Sequence, residues 1–320
     1  MPSRRAPLIA AWVLVAAAVA AAAVYVYLAP GSEPDPSAGD DGRRGEVRIS
    51  LSEIPTLPET DAGTPAPGLT TARQSGSGAA AETATSGGSP AVDGPKIAIV
   101  VSGLGLSEKN TAAAVKALPA AVTLSFTPYG ENLAQWIADA QAAGHEVMID
   151  LPMEPASFPS NDPGPKALTA SLSAPENQAR LAWILDRGSG FVGVTAVMGS
   201  RFSRSRELMQ PVLQTLKDRG LLYLDNRATD LSVAGALADE IGLPRAINDR
   251  TLDESHASQV VIEARLAQIE RLALTHGFAV AIAHPFPLTL ERLANWSETL
   301  AARGFTLVPI SAVANRQPPP

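Results

Sequence analysis

From Lys96 onward, short runs of β-branched and other apolar residues alternate with longer amphipathic stretches, and this alternation restricts the chain more than any other feature. The runs fall at 97–101 (IAIVV), 122–126 (VTLSF), 146–151 (EVMIDL), 191–196 (FVGVTA), 221–225 (LLYLD), 245–249 (RAIND), 279–283 (AVAIA) and 306–310 (TLVPI). Helices are predicted near 107–118, 131–143, 176–187, 204–219, 230–241, 258–276 and 289–303. Several stop at a glycine, at Gly144, Gly220, Gly242, Gly277 and Gly304. Glycine accepts the left-handed backbone that ends a helix. Repeated strand-then-helix units imply a parallel sheet. About eight of them in this length predict an α/β fold, a closed or nearly closed (β/α) barrel. A doubly wound open sheet is the alternative, because periodicity does not show closure.

The residues before this region have another character. Arg4 and Arg5 precede an uncharged run over 6–32, and 8–28 is about the length of a bilayer-crossing helix. Trp12 at one end and Tyr25 and Tyr27 at the other fit interfacial belts, and the arginines place the N-terminus in the cytoplasm. A cleaved signal peptide is the competing reading, but the run exceeds a usual signal core. The expectation is a single-pass inner-membrane anchor with the rest of the chain in the periplasm. Residues 31–95 are dominated by Pro, Gly, Ser, Thr and Ala and read as a disordered linker, with EVRISLSEIPTL (46–57) the more apolar exception. The expected organisation is anchor 1–30, linker 31–95, globular domain 96–313 and tail 314–320.

A net charge of −7 argues against a general nucleic-acid binder, which needs a basic face to neutralise phosphates. The absence of cysteine excludes disulfides, thiolate catalysis and cysteine-held zinc.

In a barrel of this kind reactive groups gather where strands end. The side chains there are Ser102, Tyr129, Asp150, Glu154, Ser200, Arg201, Asp225, Arg227, Asn248, Asp249, Asp253 and His284. Each has a plainer reading: Asp225 as an Asx turn, His284 as a hydrogen-bonded structural histidine, Arg201 as the partner of a nearby carboxylate. His145 precedes a strand, at the wrong end for chemistry, and His276 reads as a cation at a helix C-terminus. His256 lies in a polar loop. The chain has no dinucleotide fingerprint, phosphate-loop lysine, nucleophile elbow or HExxH pair.

The motifs IAIVVSGLG, LPAAVTLSFTPYG, AGHEVMIDLPMEP, GFVGVTAVMGSRF, RGLLYLDNR and LVPIS, in that order, resemble the divergent polysaccharide deacetylase family, related to NodB-type carbohydrate deacetylases. The resemblance spans about 96–313. It implies a distorted barrel that hydrolyses N- or O-acetyl groups on an extracytoplasmic polysaccharide. One divalent metal ion would polarise the carbonyl, a carboxylate would act as base and a histidine would protonate the leaving group. By position Asp225, Arg201, Glu154 and His284 match the family pattern; catalysis is expected of His284 and Asp225, substrate binding of Arg201, Glu154, Tyr129 and Ser102, and metal binding of a rewired set, Asp150 and Asp225 with Glu154 as a further oxygen donor. Such oxygen-rich sets suit magnesium, manganese or calcium. The chain departs from the pattern in three places: Ser102-Gly103 replaces the Asp-Asp pair of many members, and Ala196 and Asp150 stand where a histidine is common. The resemblance therefore leaves activity open, between a membrane-anchored deacetylase and a glycan-binding or scaffold protein that has lost the metal site. The implied partners are an extracytoplasmic glycan and, through the N-terminal helix, the membrane, with no nucleic acid.

Overall fold

The structure, a computed structural model, describes residues 94–254 and 258–317. The expected anchor, nearly all of the expected linker and His256 lie outside the described residues, within which no helix is long and apolar enough to cross a membrane. In chain order the elements are β1 (Lys96–Leu104), α1 (Glu108–Ala117), β2 (Thr123–Phe126), α2 (Leu133–Ala142), β3 (Val147–Met153), α3 (Ala174–Leu185), β4 (Gly193–Met198), α4 (Arg206–Asp218), β5 (Leu222–Asp225), α5 (Ala234–Ile241), β6 (Arg245–Ile247), β7 (Arg250–Thr251), α6 (Gln259–His276), β8 (Phe278–Ala283), α7 (Pro287–Leu300) and β9 (Thr306–Leu307). All five glycines foreseen as helix stops have positive φ.

The strands form one sheet in the order β6-β5-β4-β3-β2-β1-β8-β7, with β9 beside β1, and the pairings are parallel. From β6 to β1 the order steps through the chain without the reversal that a doubly wound sheet requires. The sheet curls into a half-barrel. Its two edge strands are not laddered together, so of the closed or nearly closed barrel expected it is the incompletely closed form that is observed. They are successive pieces of one segment, and the residues between them draw the edges toward each other. Asn248 N–H donates to the Asp225 carbonyl at 2.8 Å, and Asp249 N–H donates to the Val280 carbonyl at 2.9 Å. The side-chain oxygens of Asn248 and Asp249 accept from the N–H groups of Ile282 and Val280.

The last predicted strand is also shorter than expected. Thr306 and Leu307 pair with the start of β1, and Pro309 then leads into a short 3-10 helix at Ile310–Val313. Proline has no N–H to continue a ladder.

A strand's two-residue period decides which side chains reach the interior of the curl. In β1, Ile97, Ile99 and Val101 pack toward the helices, whereas Ala98 and Val100 join an inner cluster with Met148, Leu224, Ala246, Val280 and Ile282. Ile310 and Val313 belong to that inner cluster. Because the strands are covered on both faces, they read as nearly continuous apolar runs. The same parity carries Ser102, Ser125, Asp150 and His284 to the inner face at the C-terminal mouth.

Candidate active site

Asp150 sits 2% exposed on β3, bonded to the adjacent β2 and to β1 beyond it. Its Oδ1 accepts from Ser125 Oγ at 2.6 Å and from Ser102 Oγ at 2.9 Å, and its Oδ2 accepts from Gly103 N–H at 2.9 Å. Gly103 has φ +89°, a backbone that side-chain-bearing residues rarely adopt. The small-residue irregularity near the end of β1 thus turns an N–H toward a buried carboxylate. Burial pushes the Asp150 carboxyl above its ordinary pKa, although the bonds from Ser125, Ser102 and Gly103 oppose the shift.

His284 follows β8. Since β8 is in register with β1 through Val101 and Ala283, Ser102 and His284 come next at the same level. The imidazole Nδ1 bonds Asp253 Oδ1 at 2.8 Å. Asp253 is fixed in turn by the His284 N–H, at 3.0 Å to Oδ2, and by Thr289 Oγ1 at 2.8 Å. Its side chain is fully buried, whereas that of His284 is 40% exposed. Nε2 of His284 has no protein partner among the described residues. Burial alone would lower the His284 pKa, but the bond and charge of Asp253, with the charges of Asp150 and Glu254, outweigh it and raise the pKa above its ordinary value.

The other expected residues make separate contacts. Asp225 has the parity of Tyr223, which faces the helices, and not that of Leu222 and Leu224. Its oxygens accept from Arg227 N–H at 2.8 Å and Ser232 Oγ at 2.7 Å, the Asx-turn arrangement, and burial raises its pKa. Glu154 is buried and clasps two loops: Oε1 lies 3.0 Å from Arg201 Nη1 and Oε2 accepts from Ala170 N–H at 2.5 Å. The Arg201 side chain is 60% exposed. Tyr129 accepts from Lys166 N–H, and its ring covers Gly164, where an added Cβ would lie 2.6 Å from a ring carbon. His145 is structural, with ring nitrogens at the carbonyls of Val122 and Val115.

Two residues central to this geometry had no assigned role in the sequence. Asp253 stood among the rim acids without a task. Ser125 was missed, although alternation between Leu124 and Phe126 in VTLSF marks it for the opposite face.

The residues do not fit the metal that the resemblance implies. The expected donors Asp150, Glu154 and Asp225 are engaged by separate partners, and among the described residues no group of three or more His, Asp or Glu is placed to hold an ion. At the mouth, both Asp150 oxygens already accept hydrogen bonds, and one imidazole nitrogen is committed to Asp253.

Residues 99–314 match the model of the divergent polysaccharide deacetylase family. The chain belongs to this family. An uncharacterized protein of Haemophilus influenzae (strain Rd) is 29% identical over 198 residues, covering 62% of this chain and 69% of that protein. The uncharacterized protein YibQ of Escherichia coli K12 is 29% identical over 227 residues, covering 71% and 69%. The crystal structure of an uncharacterized protein from Agrobacterium tumefaciens C58 superposes with a TM-score of 0.67 at 34% identity, covering 69% of this chain and 89% of that chain. That likeness supports the curled parallel sheet.

Proposed function

We propose that this family member is a membrane-anchored, extracytoplasmic hydrolase that removes acetyl groups from a glycan, with His284 as its acid–base residue. The observation that carries the reading is the His284–Asp253 pair at the mouth, one imidazole nitrogen held and the other free. Asp253 fixes the tautomer and orientation of the ring. Nε2 would take a proton from a water whose oxygen bonds to the acetyl carbonyl carbon. As the bond from that carbon to the sugar nitrogen or oxygen breaks, the same Nε2 would return the proton to the leaving atom. The products balance as acetate and a free amino or hydroxyl sugar. The Asp253 charge that raises the His284 pKa above its ordinary value favours the imidazolium, the form that returns the proton to the leaving atom.

A second reading, glycan binding without turnover, is favoured by the engagement of Asp150 with three protein donors. Acetate release from N- and O-acetylated oligosaccharides by the full chain, purified in detergent, separates the two. Turnover that disappears in His284→Ala supports the hydrolase; saturable binding with no acetate from any substrate supports the second reading. The anchor rests on the 8–28 run and its flanking arginines and aromatics. Release of the chain from membranes by alkaline carbonate would refute it.

A further inference from the structure

We infer that the polar cavity where the sheet edges meet is a subsite for an anionic substituent, a carboxylate or phosphate, on the glycan; the glycan part of this assignment rests on the function proposed above. The cavity measures about 390 Å³, room for a sugar-sized ligand, and Arg250, Arg265, Gln268 and Glu254 are among its lining residues.

Its distinguishing feature is a pair of arginines converging on a neutral acceptor. Arg250 Nε and Arg265 Nη1 both donate to Gln268 Oε1, at 3.3 and 3.1 Å. Arg265 and Gln268 are three residues apart on α6, so they share one face of that helix. Arg250 also bonds the Asp249 carbonyl at 2.6 Å. No carboxylate among the described residues forms an ion pair with either guanidinium. Two like charges sharing one amide oxygen repel, and each retains donors in the planar fork that matches an oxyanion.

The neighbouring acids do not remove this opportunity. Asp230 lies 3.6 Å from Arg227 and serves that cation. Asp249 turns its oxygens to Val280 N–H and Gln317 Nε2. Glu254 remains on the wall, adjacent in the chain to Asp253 and acting electrostatically on His284. The subsite therefore adjoins the acid–base pair. With a chain charge of −7, capture of an anion depends on such a local cationic feature.

Calorimetric titration of the full chain with neutral, uronate-bearing and phosphate-bearing oligosaccharides of equal length tests the inference, with glucuronate and inorganic phosphate alone as further arms. The wild type should bind at least one anionic class about tenfold more tightly than the neutral one, with the advantage shrinking at high salt. The class preferred distinguishes carboxylate from phosphate. Arg250→Gln with Arg265→Gln should abolish the preference, leaving neutral-glycan affinity and thermal melting unchanged. Equal affinity for all oligosaccharides, or a preference that survives the double variant, overturns the subsite. If glucuronate or phosphate binds through these arginines while no oligosaccharide binds, the anion site stands and the glycan reading fails.

Discussion

Two carboxylates close to the mouth of the curled sheet are used in opposite ways. Asp150 spends its acceptor capacity on two hydroxyls and an N–H, tying β1, β2 and β3 together in a corner shut off from solvent. Asp253 is just as buried, yet one of its bonds goes to a half-exposed imidazole whose far nitrogen is open. A carboxylate bonded only to hydroxyls and an N–H serves the fold, whereas one that ends in a titratable ring transmits its charge to the surface. The resemblance directed attention to Asp150 and Asp225; the geometry moves it to Asp253.

The largest expected effect separates the two directly. His284→Ala should lower acetate release by about 10² to 10⁴ with a smaller loss of stability than Asp150→Ala, since the buried Asp253 keeps the backbone N–H of residue 284 and Thr289 Oγ1 as donors. Kinetics beside a melting curve would measure this, and equal loss of stability would blur the contrast. Asp150→Ala should behave conversely, leaving two buried hydroxyls and a partly buried N–H without their acceptor. It should cost roughly 3 kcal/mol or more in urea unfolding. Asp253→Asn should slow release by about 10 to 100-fold through loss of ring orientation and charge, and shift the rate profile toward lower pH.

A smaller effect concerns stability against pH. The folded pKa of His284 is raised, so its contribution is fully present below the unfolded value of about 6.5 and is lost as pH rises through the folded value. Melting temperatures of wild type and His284→Gln should therefore converge across that window. The smallest effect belongs to Arg201→Ala. Its ion pair with Glu154 is largely solvent-exposed on the arginine side, and unfolding should show a change below about 1 kcal/mol.

Much of the fold was legible because the inner strands are buried on both faces, giving an unbroken apolar run such as IAIVV, and because glycines mark helix ends. Closure was not legible. It depends on Asn248 and Asp249 bonding in two directions, and no periodicity encodes that. RAIND accordingly read as one strand, although its last two residues are the bridge. In the candidate site, His284 could be found from its place after an apolar strand. Its partner could not, because Asp253 lies 31 residues earlier in the chain and is aligned with it by the fold alone. The face of Asp225 was hidden for a related reason: a strand-end acid in YLDNR looks the same whichever face it takes, and counting alternation back to Leu224 and Tyr223 decides the face.

The most direct test is the titration of His284 by NMR in the full chain with isotope-labelled histidine, in wild type, Asp253→Asn and Asp150→Asn. The account predicts a wild-type pKa above the ordinary histidine value, a clear fall in Asp253→Asn and a much smaller change in Asp150→Asn. An unshifted wild-type histidine, or a larger response to Asp150→Asn than to Asp253→Asn, would contradict the division of labour between the two carboxylates.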